Sequence, residues 1–111
     1  MIKLTVTPQH DHNIYSLLIK KELALRQSNQ GTLHASGPKK KLEAKWTHAT
    51  YKGWIRFQQS LAGVLVAVVQ SKDASAEWQL LTSFIGFLDR HFRDEISSIT
   101  LQYSAQPRRK R

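Results

Sequence analysis

The residues best suited to chemistry lie between Lys39 and Arg56, where six cations (Lys39, Lys40, Lys41, Lys45, Lys52 and Arg56) alternate with the aromatics Trp46, Tyr51 and Trp54. Ammonium and guanidinium groups neutralise phosphates, and flat rings stack on unpaired bases. The mixture is therefore that of a surface for single-stranded nucleic acid. Spacing supports a common face. If Ile55 and Phe57 point into a core, a strand's period of two turns Trp54 and Arg56 the other way. On the neighbouring strand Lys45 and Thr47 turn outward likewise. The expected platform is Lys45, Trp54 and Arg56, rimmed by Lys52 and continued by Lys3, Thr5, Ser98 and Thr100 if the outer strands pair there. A competing reading packs Trp54 under a loop, the first helix or a partner chain. The segment Val64 to Val69, apolar on both faces, gives that reading weight, since a second copy of the chain would cover it. The chain lacks the RNP1 motif of an RNA-recognition motif, the GXXG loop of a KH domain and the C-terminal helix lysines of a double-stranded-RNA domain.

The net charge of +9 is unevenly distributed. Residues 1–60 carry +7, residues 61–107 carry −2, and Arg108, Arg109, Lys110 and Arg111 add +4. Such a field attracts polyanions. Two basic clusters follow prolines, Lys39 to Lys41 after Pro38 and Arg108 to Arg111 after Pro107. In a eukaryotic chain they would address nuclear import, and in a bacterial one they act as phosphate-seeking arms or solvated charge. Lys39, Lys40, Lys41, Arg108 and Arg109 join the expected nucleic-acid contacts on this ground.

Other chemistries have less to work with. His10-Asp11-His12 has the look of a metal pair, but His34, His48 and His91 complete no ligand spacing, so no metal site is expected. There are no cysteines, which removes thiol nucleophiles and disulfides. The eight carboxylates are scattered, and Asp73 and Glu77 are explained by a helix start. SNQGTLHASG has neither phosphate-loop nor dinucleotide spacing, and no serine sits in a nucleophile elbow. The expectation is a non-enzymatic domain without cofactor, a small ribonuclease-like activity being the remaining enzymatic reading. The longest apolar run, Leu61 to Val69, is about half the ~20 residues a membrane helix needs. No signal-peptide core is visible, so the chain is expected to be cytoplasmic, or nuclear in a eukaryote, without membrane partners.

The elements that must position these residues follow from periodicity. Ile2 to Val6 alternates as a half-buried strand. Thr7-Pro8 stops that strand, and Asn13 to Arg26 is helical, with Ile14, Leu17, Leu18 and Leu25 at helical spacing and Thr7-Pro8 or Asp11 as start signals. Residues 28–41 form a long basic loop, with a short extended piece at Thr32 to Ala35. Leu42 to Thr50 is a strand that turns Leu42, Ala44, Trp46 and His48 to one face, with His48 a strand-end residue. Trp54 to Gln58 and Val64 to Gln70 complete an antiparallel meander, the last strand central or covered on both sides. Ala76 to Arg93 is the clearest helix, striped by Leu81, Phe84, Ile85, Leu88 and Phe92 and broadened by Trp78, Leu80 and Phe87. Gly86 within it suggests close packing. Ile99, Leu101 and Tyr103 alternate in a closing strand. The order β-α-β-β-β-α-β predicts one α+β domain over residues 1–104, a two-layer sandwich of about five mostly antiparallel strands with two helices on one face, ferredoxin-like or related. Residues 105–111 read as a disordered basic tail.

Overall fold

Alternating apolar residues become one continuous face in the computed structural model, which describes residues 1–10, 12–37 and 42–103. The strands are β1 (Ile2–Pro8), β2 (Leu33–Ala35), β3 (Glu43–His48), β4 (Trp54–Gln59), β5 (Leu65–Gln70) and β6 (Ile96–Tyr103). The helices are α1 (Ile14–Gln27) and α2 (Ala74–Phe92), with short 3-10 turns at Leu61–Gly63 and Arg93–Glu95. The fold is α+β. The six strands form one sheet in the order β2-β3-β4-β5-β1-β6, and every neighbouring pair is antiparallel.

Ile2, Leu4 and Val6 of β1, Trp46 of β3, Ile55 and Phe57 of β4, and Leu65, Ala67 and Val69 of β5 are buried in one cluster with residues of both helices. Ring contacts show that the two helices meet the same side of the sheet. Tyr15 of α1 lies 5.7 Å from Phe57, and Phe84 of α2 lies 5.9 Å from the same ring. Trp46 sits among Phe57, Phe87 and Phe84 at 4.9, 5.2 and 6.1 Å, each edge-on. That arrangement sets the positive ring edge against a negative ring face.

Local chemistry sets the boundaries. The Asn13 side chain accepts the Ser16 N–H at 3.0 Å and starts α1; Asp73 accepts the Ser75 N–H at 2.9 Å and starts α2. At Gly53, φ is +122°, and a Cβ there would collide with the Gln70 carbonyl oxygen and the Leu80 side chain. The turn into β4 therefore needs glycine both for its backbone and for space.

Several expectations are corrected. The sheet has six strands rather than about five, because the extended piece in the long loop is a paired strand, Leu33 bonding opposite His48. Leu42 lies outside β3 and is 57% exposed rather than facing the core with Trp46. Pro8 ends β1 instead of opening α1, whose cap is Asn13. Trp78 stands out from the α2 stripe at 52% exposed. A Cβ at Gly86 would touch only Arg90 Nη2, at 3.8 Å, so no tight packing demands glycine there. Leu101 and Tyr103 share the register of buried Leu4 and Ile2 yet remain 37% and 61% exposed.

Candidate nucleic-acid interface

The opposite side of the sheet carries the side chains that alternate with the core. Register aligns Gln102, Lys3, Val68, Arg56 and Lys45 in one row across β6, β1, β5, β4 and β3. Strands lie about 4.8 Å apart, so Lys45 and Arg56 are neighbours and Lys3 stands two spacings, roughly 10 Å, beyond Arg56. The next row runs Thr100, Thr5, Val66, Gln58 and Glu43. Lys3 and Arg56 are exposed, Lys45 is half-buried, and the half-buried Val66 and Val68 form an apolar floor between the cations. The sequence places Val66 and Val68 in the apolar run; pairing with β1 and β4 puts Val68 between Lys3 and Arg56, and Val66 between Thr5 and Gln58.

Trp54 pairs with Gln70 at the start of β4. It is half-buried, and Lys45 Nζ sits 5.3 Å from its ring centroid, a cation–π contact. Its indole Nε1 is buried without a hydrogen-bond acceptor among the described residues, as is that of Trp46. Trp54 is thus a wall of the platform whose face already holds a cation. Lys52 is exposed at the β3–β4 turn. Ser98, Thr100 and Gln102 of β6 are exposed and extend the surface. Lys39, Lys40, Lys41, Arg108 and Arg109 lie outside the described residues, as does the expected tail of residues 105–111.

His48 closes β3. Its Nδ1 accepts the Thr50 N–H at 2.9 Å and the Tyr51 N–H at 3.4 Å, which requires an unprotonated Nδ1. Burial holds its pKa below the ordinary histidine value, so the ring adds no charge to the rim at neutral pH. His10 and His12 lie with ring centroids 5.8 Å apart, and Asp11 is outside the described residues. Among the described residues no group of three or more His, Asp or Glu side chains is placed to hold a metal ion.

Sequence reasoning missed one polar cluster. Glu22, only 3% exposed, meets Arg26 Nε at 3.1 Å and His34 Nδ1 at 3.0 Å, and His34 Nε2 lies 3.1 Å from the Gly31 carbonyl. The carboxylate thereby ties α1 to β2. The four-residue spacing of Glu22 and Arg26 was a readable helical signal. The His34 contact was not, because it spans the loop between α1 and β2. No described helix is long and apolar enough to cross a membrane. No protein-family model, curated protein or solved structure matches this chain.

Proposed function

We propose that the chain is a ferredoxin-like two-layer sandwich that binds single-stranded nucleic acid on its open sheet face and catalyses no reaction. The strand order β4-β5-β1-β6, with α1 after β1 and α2 after β5, supports the architecture; β2 and β3 add an edge hairpin. The row Lys3, Arg56 and Lys45 carries the functional reading. It places three cations on a face that neither helix covers, over an apolar floor and beside an indole. A backbone laid along the row would neutralise phosphates at each cation, and a base could take the place of the Lys45 ammonium on Trp54, freeing that ammonium for phosphate.

Fluorescence titration with single-stranded oligonucleotides at low and high salt tests the reading. Binding should fall steeply with salt. Replacing Lys3, Lys45 and Arg56 together by Gln should flatten the log–log salt slope by about 2, at about 0.7 per phosphate on a single strand. Trp54→Ala should weaken binding by roughly 1–3 kcal/mol, more than loss of a lysine remote from the sheet. No binding at low salt overturns the proposal.

A further inference from the structure

The two edges of the sheet are built differently. One edge, β2, is three residues long. The other, β6, has eight residues, ISSITLQY, with no charge and no proline. Its six regularly paired residues, Ser98 to Tyr103, present roughly 20 Å of strand edge at about 3.4 Å per residue. Sheets usually protect an outer strand by shortening it, charging it or breaking it with proline, because its free N–H and C=O groups recruit another strand. The β2 edge follows that rule by its length. Strand β6 has an irregularity only at its start, where Pro8 pairs with Ile96 and Thr7 with Ser98, and its regularly paired stretch Ser98 to Tyr103 carries no charge or proline.

The helix-side face of β6 is also uncovered. Ile99, Leu101 and Tyr103 turn toward the side where the helices pack, yet α2 leaves Leu101 and Tyr103 in solvent. A groove of about 540 Å³ runs between α2 and β6, lined by Thr82, Ile85, Ile96 and Ile99 among others. Trp78 lies one helical turn before Thr82 on the same stripe of α2 and is exposed. An exposed tryptophan, leucine and tyrosine around this edge form an apolar surface with no partner among the described residues.

Charge argues for the occupant. Two copies of a chain with net charge +9 repel unless they meet where charge is absent or already matched. Strand β6 is itself such a place, since residues 96–103 carry no charge and the cations Arg108 to Arg111 begin five positions beyond its end in the sequence. Beside it, in the groove it shares with α2, Arg93 is held by Asp89 in two hydrogen bonds of 2.9 and 2.8 Å. The row of cations lies on the other face, and the strand carrying Lys45 is at the far side of the sheet.

We propose that a second copy of this chain pairs with β6, antiparallel about a two-fold axis perpendicular to the sheet. That axis keeps both helical layers on one side, so Leu101, Tyr103 and Trp78 of the two copies face a common trench. It also keeps both open faces on the other side, where the two six-stranded sheets become one. A standard interface uses about 20–30 residues a side, more than the eight of β6, so the contact extends onto the exposed stripe of α2. This inference is independent of nucleic-acid binding, since a monomer could use the same platform.

The absence of cysteine makes the test direct. Sedimentation equilibrium of the full chain should give a dimer. Leu101→Lys should raise the dimer dissociation constant by about 30-fold or more, as at a buried hot spot, with an unchanged far-ultraviolet circular dichroism spectrum. Trp78→Lys is a second variant acting from the helix, so a folding defect in one leaves the other to decide. Of the single-cysteine variants Ser98→Cys, Thr100→Cys and Gln102→Cys, at least one should form a disulfide-linked dimer on mild oxidation, whereas Leu61→Cys should not. A wild-type monomer at all attainable concentrations overturns the proposal, leaving the edge to a strand from a different protein. A dimer that withstands both lysine substitutions and gives no β6 cross-link also overturns it, by placing the contact elsewhere.

Discussion

The two faces of the sheet come from the same strands, one residue out of phase. On the packed face, Leu4, Trp46, Ile55, Leu65, Ala67 and Val69 are completely buried beneath two helices. On the open face, Lys3, Arg56, Lys45, Val66 and Val68 occupy the intervening positions in comparable registers, with solvent reaching all of them. The backbone treats the two sets alike. The difference is that one side offers apolar volume for aromatic interlocking and the other offers fixed charge. The packed face therefore governs stability and the open face governs what the domain can attract.

Substitutions that separate these roles give the sharpest tests. Trp46→Ala should cost about 3–5 kcal/mol in urea denaturation, the range for deleting a buried aromatic. Trp46→Phe should cost distinctly less, because the indole N–H it removes has no acceptor among the described residues. On the open face Val68→Thr should change stability by less than about 1 kcal/mol. If it destabilised the fold as strongly as Trp46→Ala, the open face would be covered in solution and the contrast would fail.

Next in size is Glu22→Gln, expected to lower stability by about 1–3 kcal/mol, since it leaves a partly buried His34 and Arg26 without their carboxylate. Loss of hydrogen-exchange protection should concentrate at β2 and the end of α1. Uniform loss across the sheet would show that the cluster does not act locally.

The smallest effect is a pH dependence. Burial lowers the pKa of His48, and burial together with Lys21 and Arg90 lowers that of His91. Both are thus below the ordinary histidine value of about 6.5 in the folded state. Their contribution is complete above that value and is lost as pH falls through the folded-state values, because the unfolded chain takes up the protons first. Stability should therefore decline as pH falls below about 6.5, and the double variant His48→Gln, His91→Gln should show a shallower decline. An unchanged slope would assign the pH dependence to other groups.

Alternation over Ile2 to Val6 and over Trp54 to Gln58, and the three-and-four stripe of Leu81, Phe84, Leu88 and Phe92, made the strands, the second helix and most of the core legible without coordinates. Those patterns are local, and burial acts on them residue by residue. The same alternation identified Lys45, Trp54 and Arg56 as companions on a face. Local periodicity misread Leu42, Trp78, Leu101 and Tyr103 because an apolar side chain is buried only where another element covers it. Coverage depends on where a helix axis lies, which no local period encodes.

The chain by itself determined its charge, the absence of thiol chemistry, the identity of its main elements and the two chemically distinct sets of strand residues. These follow from side-chain type and from backbone periods of 2.0 and 3.6 residues. Only the tertiary structure decided that β1 lies between β5 and β6, which brings Lys3 into line with Arg56 and Lys45 from more than forty residues away. Only it turned Glu22 and His34 toward each other, and left β6 as a long neutral edge beside an open groove. Strand order and helix placement are settled by which apolar surfaces can be covered together, a condition on the whole chain that no single segment carries.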